Sequence, residues 1–143
     1  MRKIKKSIPT PAFFSDFVKR VNPKVWDHSH SENKQQFKEH MLEYEQSFLC
    51  GYTEIYIGNN EKIHIDHYIK RTIDNRLCFE WDNLIVAFSD QDFGANCKDN
   101  GPNNVKKIAD YNDLFNPVKD DTEIFFEFSL DGQKKKKKGL ELV

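Results

Sequence analysis

The stretch EKIHIDHYIKRTIDNRLCFEWDNL, from Glu61 to Leu84, sets His64, Asp66 and His67 into a run that otherwise alternates like a β-strand. Asp66 is a hard carboxylate of the kind that holds Mg²⁺. The neighbouring His67 is the side-chain type whose unperturbed pKa lies close enough to neutrality for general-base work. A metal ligand beside a base is a hydrolytic pair. Adjacent residues of an ideal strand face opposite ways, so both can serve one site only where the strand ends or bends, which the following IKRTIDNR allows. His64, two residues from Asp66 on the same strand face, reads as a strand-surface histidine, with a group supporting Asp66 as the alternative. Lys70 and Arg71 are nearby cations, either solvated or holding flanking phosphates. Downstream, Asn83 in WDNL, Asp90 and Asp92 in SDQD, and Asn96 and Lys98 in ANCKDN add amide, carboxylate and ammonium groups.

The elements that must carry these residues change period along the chain. TPAFFSDFVKRV has Thr10 as an expected cap and Pro11 in the first turn. Phe13, Phe14, Phe17, Val18 and Val21 then recur at helical spacing, which predicts a short amphipathic helix. A longer helix is expected from Ser31 to Leu49, burying Phe37, Met41, Leu42, Tyr44 and Phe48 on roughly one face. His28, His30 and His40 lie on or before it as exposed residues. After Leu49 the period falls to 2. TEIYIG and EKIHIDHY predict a β-hairpin over Thr53 to Tyr68, turned at Gly58-Asn59-Asn60, whose residue types accept positive φ. NLIVAF is a third apolar segment, and SDQDFGANCKDNG has the cap-like Ser89 and Asp90 and the terminal Asn-Gly of a short helix. IADYNDLF predicts a further helix and TEIFFEFSLDG an edge strand. The fold class is therefore α+β.

Composition narrows the rest. A chain of 143 residues with 38% hydrophobic content suits one domain with a modest core and peripheral segments. With 22 basic against 23 acidic residues there is no global footprint for nucleic acid, so any polyanion site must be local. Charge clusters at the ends, in Arg2, Lys3, Lys5 and Lys6 and in Lys134 to Lys138, read equally as solvated tails or phosphate contacts. Cys50, Cys78 and Cys97 form no CxxC pair, which favours a reducing cytoplasm and argues against structural zinc. No apolar run approaches the roughly 20 residues a membrane-spanning helix needs.

Taken in order, Asp66-His67, Asn83, SDQD and ANCKDN resemble the HNH endonuclease signature. MRKIKKS, EQSFLCGYTE, HIDHY and WDNLIVAFSDQDFGANCKDNG together resemble the HNH nuclease subunit of Septu-type anti-phage systems, including those attached to retrons; the pieces span residues 1 to about 101. The resemblance implies N-terminal helices followed by a ββα-metal finger that holds one divalent cation, Mg²⁺ or Mn²⁺, against a phosphodiester. Residue by residue, it makes His67 the general base, Asp66 a metal ligand and Asn83 the asparagine that ties down a loop and so orients the base. Asp92 is the preferred third position as the harder ligand, with Asn96 second and Asp90 also available. Lys98 resembles the lysine that closes the motif and would contact phosphate. Thr53 stands where many relatives carry a second cysteine, so no structural zinc is expected.

The resemblance divides the chain into a partner-docking helical segment (1–49), a nuclease core (50–101) and an extension with a Lys-rich tail (102–143). The tail does not look like the C-terminal helices of the related subunits. It also implies a nucleic-acid substrate, an ATPase partner subunit and, through that subunit, a retron reverse transcriptase with its RNA–DNA hybrid. No membrane partner is expected, and a cytoplasmic location is expected. Phe13, Phe14, Phe17 and Trp26 carry more apolar surface than a small finger needs, so a partner is expected to cover some of it. The competing readings are a solitary HNH nuclease of restriction or homing type and a non-catalytic nucleic-acid-binding adaptor.

Overall fold

The computed structural model describes residues 2–58, 62–89, 94–101 and 104–136. In order, these form α1 (Ala12–Val21), α2 (Ser31–His40), β1 (Ile63–His67), β2 (Leu84–Phe88), α3 (Gly94–Asn100), β3 (Phe126–Phe128) and β4 (Lys134–Lys136), with short 3₁₀ turns between. The chain is mixed α and β, as expected. Among the described residues no helix is long and apolar enough to cross a membrane.

Pro11, not Thr10, holds the N-cap position of α1, without a side-chain cap. Its C=O accepts from Phe14 and Ser15 N–H at 3.0 and 3.1 Å, while Asn22 at φ 49° closes the other end with a left-handed residue. The helix exists to bury one stripe. Phe14 and Phe17 are 3% and 1% exposed and meet Phe37 of α2 edge to face at 5.0 and 5.4 Å. Beyond His40 the expected long helix widens into a π turn, Met41–Glu45, and stops before Leu49. The wider turn lets Met41, Leu42 and Glu45 all face inward, and Ser47 and Phe48 at φ 51° and 58° then break the helical path.

The hairpin expected over Thr53 to Tyr68 does not form. β1 pairs instead with β2, antiparallel, from Ile63 opposite Phe88 to His67 opposite Leu84. Tyr56 makes only an isolated bridge to Leu49, and Asn59 and Asn60 lie outside the described residues. Burial explains the exchange of partners. Leu84, Ile85, Val86 and Ala87 are 0% exposed, whereas Ile55 and Tyr56 of the would-be strand remain 46% and 70% exposed. The segment with more apolar area to remove from water took the central place, overriding the local turn signal.

β2 is enclosed on its other edge too. The Gln46 side chain accepts from Val86 N–H at 2.9 Å and donates to Val86 C=O at 2.8 Å, and Gly51 N–H adds a bond to the same carbonyl at 3.0 Å. This amide replaces a neighbouring strand. A Cβ on Gly51 would stand 2.2 Å from the Ile85 side chain, so only glycine permits the approach.

Of the basic N-terminus, Arg2, Lys3 and Lys5 are exposed, but Lys6 is neither solvated nor free for phosphate. Ile4 is buried, and Lys6 forms an ion pair with Glu45 at 2.7 Å while donating to Leu84 C=O at 3.0 Å. Glu45 also accepts from Trp81 Nε1 at 2.8 Å and Ser7 N–H at 2.9 Å. The helical segment and the β1–β2 pair therefore share one core, in which Phe14, Phe17, Phe37 and Met41 pack with Trp81, Leu84 and Val86.

The expectation that a partner covers the α1 aromatics is corrected by this packing. Phe14 and Phe17 are already covered within the chain, and Phe13 lies against Phe37, His40 and Trp81. Phe17→Ala is accordingly expected to cost about 3–5 kcal/mol in urea unfolding of the chain alone, the usual range for a large aromatic removed from a core. Gln46→Leu should cost about 1–3 kcal/mol by stranding the Val86 N–H, while Val86 C=O keeps the Gly51 N–H.

Candidate active site

β1 ends at His67, so Asp66 and His67 stand at the strand terminus, as the sequence required for a shared site. Both are 6% exposed, and both line one cleft of about 1040 Å³ between α2, β1, the segment after β1 and the end of α3. The imidazole of His67 is held on two sides. Its Nε2 lies 2.9 Å from Cys78 C=O, and because a carbonyl only accepts, Nε2 carries the proton and Nδ1 keeps its lone pair. Trp26 meets the ring edge to face at 4.9 Å. Burial lowers the His67 pKa to about 4; Arg71, Lys98 and His64 push the same way, and the bond to Cys78 opposes them. At neutral pH the ring is uncharged and able to accept a proton.

Asp66 faces a different set of partners. The Tyr52 hydroxyl donates to its Oδ2, and the Lys98 ammonium lies 3.4 Å from the same oxygen. Burial raises the Asp66 pKa, against the pull of Lys98 and Tyr52, while burial first and then Asp66 push the Tyr52 hydroxyl well above its ordinary value. Oδ1 of Asp66 makes no hydrogen bond to another described residue. The Nδ1 of neighbouring His64 is likewise buried without a hydrogen-bond partner among them.

Asn83 works through the chain that connects the two strands. Its Oδ1 accepts from Ile69 N–H at 2.9 Å, and its Nδ2 donates to Ile69 C=O at 3.1 Å and Leu77 C=O at 3.2 Å. One side chain thus closes both ends of the segment that delivers the Cys78 carbonyl to His67. This segment connects β1 to β2, whereas the sequence reading set Asn83 to tie down a loop between strand and helix.

Of the expected phosphate contacts, Lys98 and Lys70 are spent inside the protein. Lys98 donates to Tyr68 C=O at 2.9 Å and His67 C=O at 3.3 Å, pairs with Asp99 at 2.6 Å, and its side chain is 10% exposed. Lys70 donates to Asp99 C=O at 2.6 Å and Val105 C=O at 2.8 Å, joining the end of α3 to the loop beyond it. Lys98 therefore braces the end of β1 from within. Arg71 is exposed and donates to Trp26 C=O, with the rest of its guanidinium available. Asn96 accepts from Asn100 at 2.7 Å on α3 and does not line the cleft. Asp90 and Asp92 lie outside the described residues. Trp26, expected at a partner surface, packs on His67 and Phe79 instead.

Sequence reasoning missed Tyr52, the Trp26 contact and the Cys78 carbonyl. A backbone carbonyl leaves no residue-type signal, and Tyr52 stands 14 positions from the carboxylate it binds. No family model, curated protein or solved structure matches the chain.

The His67 environment makes a pH prediction. Its pKa is depressed in the folded state, so between about 4 and its ordinary value of 6.5 the unfolded chain binds more protons, and stability falls as pH falls through that window. Denaturant unfolding at pH 7 and pH 4 should show a loss attributable to this residue of about 3 kcal/mol. His67→Gln should remove that part of the pH dependence.

Proposed function

We propose that the chain is a metal-dependent endonuclease of HNH type, in which β1, β2 and α3 act as the ββα finger and hydrolyse phosphodiester bonds of nucleic acid. One observation carries this reading: a buried carboxylate and a neutral imidazole whose Nδ1 has no partner among the described residues, adjacent in sequence, line the same cleft.

The residues present suit a hard divalent ion. Asp66 keeps one oxygen uncommitted among the described residues. No group of three His, Cys, Asp or Glu converges among those residues. That number is not required, because Mg²⁺ is commonly held by one or two carboxylates, with water and substrate phosphate completing its shell. Asp66 would hold the ion, with Asp92 and then Asn96 as the further ligands proposed on the resemblance. When bound, Mg²⁺ or Mn²⁺ supplies Lewis-acid stabilisation of charge on the phosphate and the leaving oxygen.

The chain's own residues do the rest. Nδ1 of His67 takes the proton of the attacking water, a contribution of about 10²–10⁴-fold. The Cys78 carbonyl accepts from Nε2–H and stabilises the imidazolium that results, and Trp26 prevents the ring from turning away. Tyr52 and Lys98 hold Oδ2 of Asp66, fixing the plane of the carboxylate. Arg71 is the exposed cation placed for a flanking phosphate.

On the same resemblance, the nuclease acts as effector of an ATPase–nuclease anti-phage complex, which in retron systems also carries a reverse transcriptase and its RNA–DNA hybrid. A non-catalytic nucleic-acid-binding adaptor is the competing reading. The observation in its favour is that Lys98 already neutralises Asp66.

Incubating the chain, alone and with co-purified neighbours, with plasmid, single-stranded DNA and tRNA in Mg²⁺, Mn²⁺ or EDTA separates the two. Cleavage that needs the metal is expected, and His67→Gln, which keeps a donor for Cys78, should lower its rate at least about 10²-fold without loss of fold. Asp66→Asn should weaken Mn²⁺ binding in calorimetry. Binding of nucleic acid with no cutting under any metal would establish the adaptor instead.

A further inference from the structure

The charged residues of α2 other than its terminal histidine are Glu32, Lys34, Lys38 and Glu39, which cancel in sum. The cleft sorts them. Lys34 and Lys38 line it, with Ser31 and Gln35, and neither glutamate does. These four positions follow the i, i+3, i+4, i+7 rule and form one stripe, every member of which carries a hydrogen-bond donor; one N–H of Gln35 already goes to Glu39 at 2.8 Å, and Lys34 lies 3.9 Å from Asp27. Phe37, on another face of the helix, is 0% exposed in the core. The rest of the lining carries His64, Asp66, His67, Lys70, Arg71 and Asp99, with Asp27 beside Lys34.

Within the stripe the two lysines differ. Lys34 is tied down, donating to Ser29 C=O at 2.7 Å and resting 4.8 Å over the Trp26 ring. The Lys38 ammonium makes no hydrogen bond or ion pair with a described residue. It is the stripe's uncommitted cation among the described residues, and it lines the cleft.

We propose that this stripe is the backbone-binding wall of the cleft, where Lys38 and Gln35 engage the phosphates of a polynucleotide strand while His67 and Arg71 face the strand from the other side. The identity of the ligand rests on the nuclease reading. The wall itself rests on the placement of Lys38, whose ammonium lines the cleft without a structural partner among the described residues. It also suggests how a chain of net charge −1 takes a polyanion: Lys34 and Lys38 of α2 face the same cleft as Lys70 and Arg71, local cations set against Asp27, Asp66 and Asp99.

The test is fluorescence anisotropy of a labelled single-stranded DNA oligonucleotide with the full chain in EDTA, across a salt series. Lys38→Gln is expected to weaken binding about threefold to tenfold and to make the log–log salt slope shallower by about 0.7, the loss of one phosphate contact. Lys38→Arg should restore both. Glu32→Gln, on the same helix but outside the cleft, should change neither. In Mg²⁺, Lys38→Gln should raise KM and leave kcat in place. If Lys38→Gln binds like the wild type, or Glu32→Gln strengthens binding by as much as Lys38→Gln weakens it, the wall is overturned and the nuclease reading stands. A wild-type chain that neither binds nor cuts any polynucleotide overturns the nuclease reading, and the wall with it.

Discussion

Leu84, Ile85, Val86 and Ala87 are fully buried, so every polar group of this backbone must find its partner inside the protein. That demand organises the molecule. One edge of β2 is met by β1, which brings Asp66 opposite Ile85 and His67 opposite Leu84. The far edge is met by the Gln46 side chain and Gly51, which ties the end of the α2 helical run and the loop after it to the strand. Leu84 C=O, at the strand's start, receives Lys6. The candidate site is thus carried on a strand pair enclosed on both edges, which holds Asp66 and His67 in fixed positions.

Two buried charge clusters complete the frame. Lys6 and Glu45 join the N-terminal segment to the end of α2, with Trp81 donating to the carboxylate and lying 4.5 Å beneath the ammonium. Lys98, Asp66, Asp99 and Tyr52 join α3 to the end of β1. Isolated charges at such depth would be prohibitive, and a buried pair by itself does little for stability. Such pairs specify arrangement instead. Each links elements distant in sequence that hydrophobic packing alone would leave free to slide.

The same economy of partners shapes the proposed chemistry. His67 has one ring nitrogen committed and one free, and Asp66 has one oxygen committed and one free among the described residues. Each group is fixed through one atom, and both residues line the cleft. Asn83 extends this logic by holding the segment that carries the carbonyl that holds the imidazole, so the base is oriented through two successive hydrogen-bonded steps.

Residue types and spacing alone revealed the mixed fold class, the helical period of α1 and the start of α2, the alternation of β1, and the Asp66-His67 pair at a strand end. Each of these is a local property, written in side-chain chemistry and periodicities of 3.6 or 2. The pairing of β1 with β2 in place of the hairpin was not legible, because the Gly58-Asn59-Asn60 signal is local while the competition for the central position is decided by buried area summed over the whole core. The commitments of Lys98 and Lys70, the burial of Phe14 and Phe17 within the chain, and the packing of Trp26 on His67 were hidden for the same reason. A cation, an aromatic ring or a carbonyl looks the same in sequence whether it faces solvent or a partner far along the chain, and only the tertiary structure decides which.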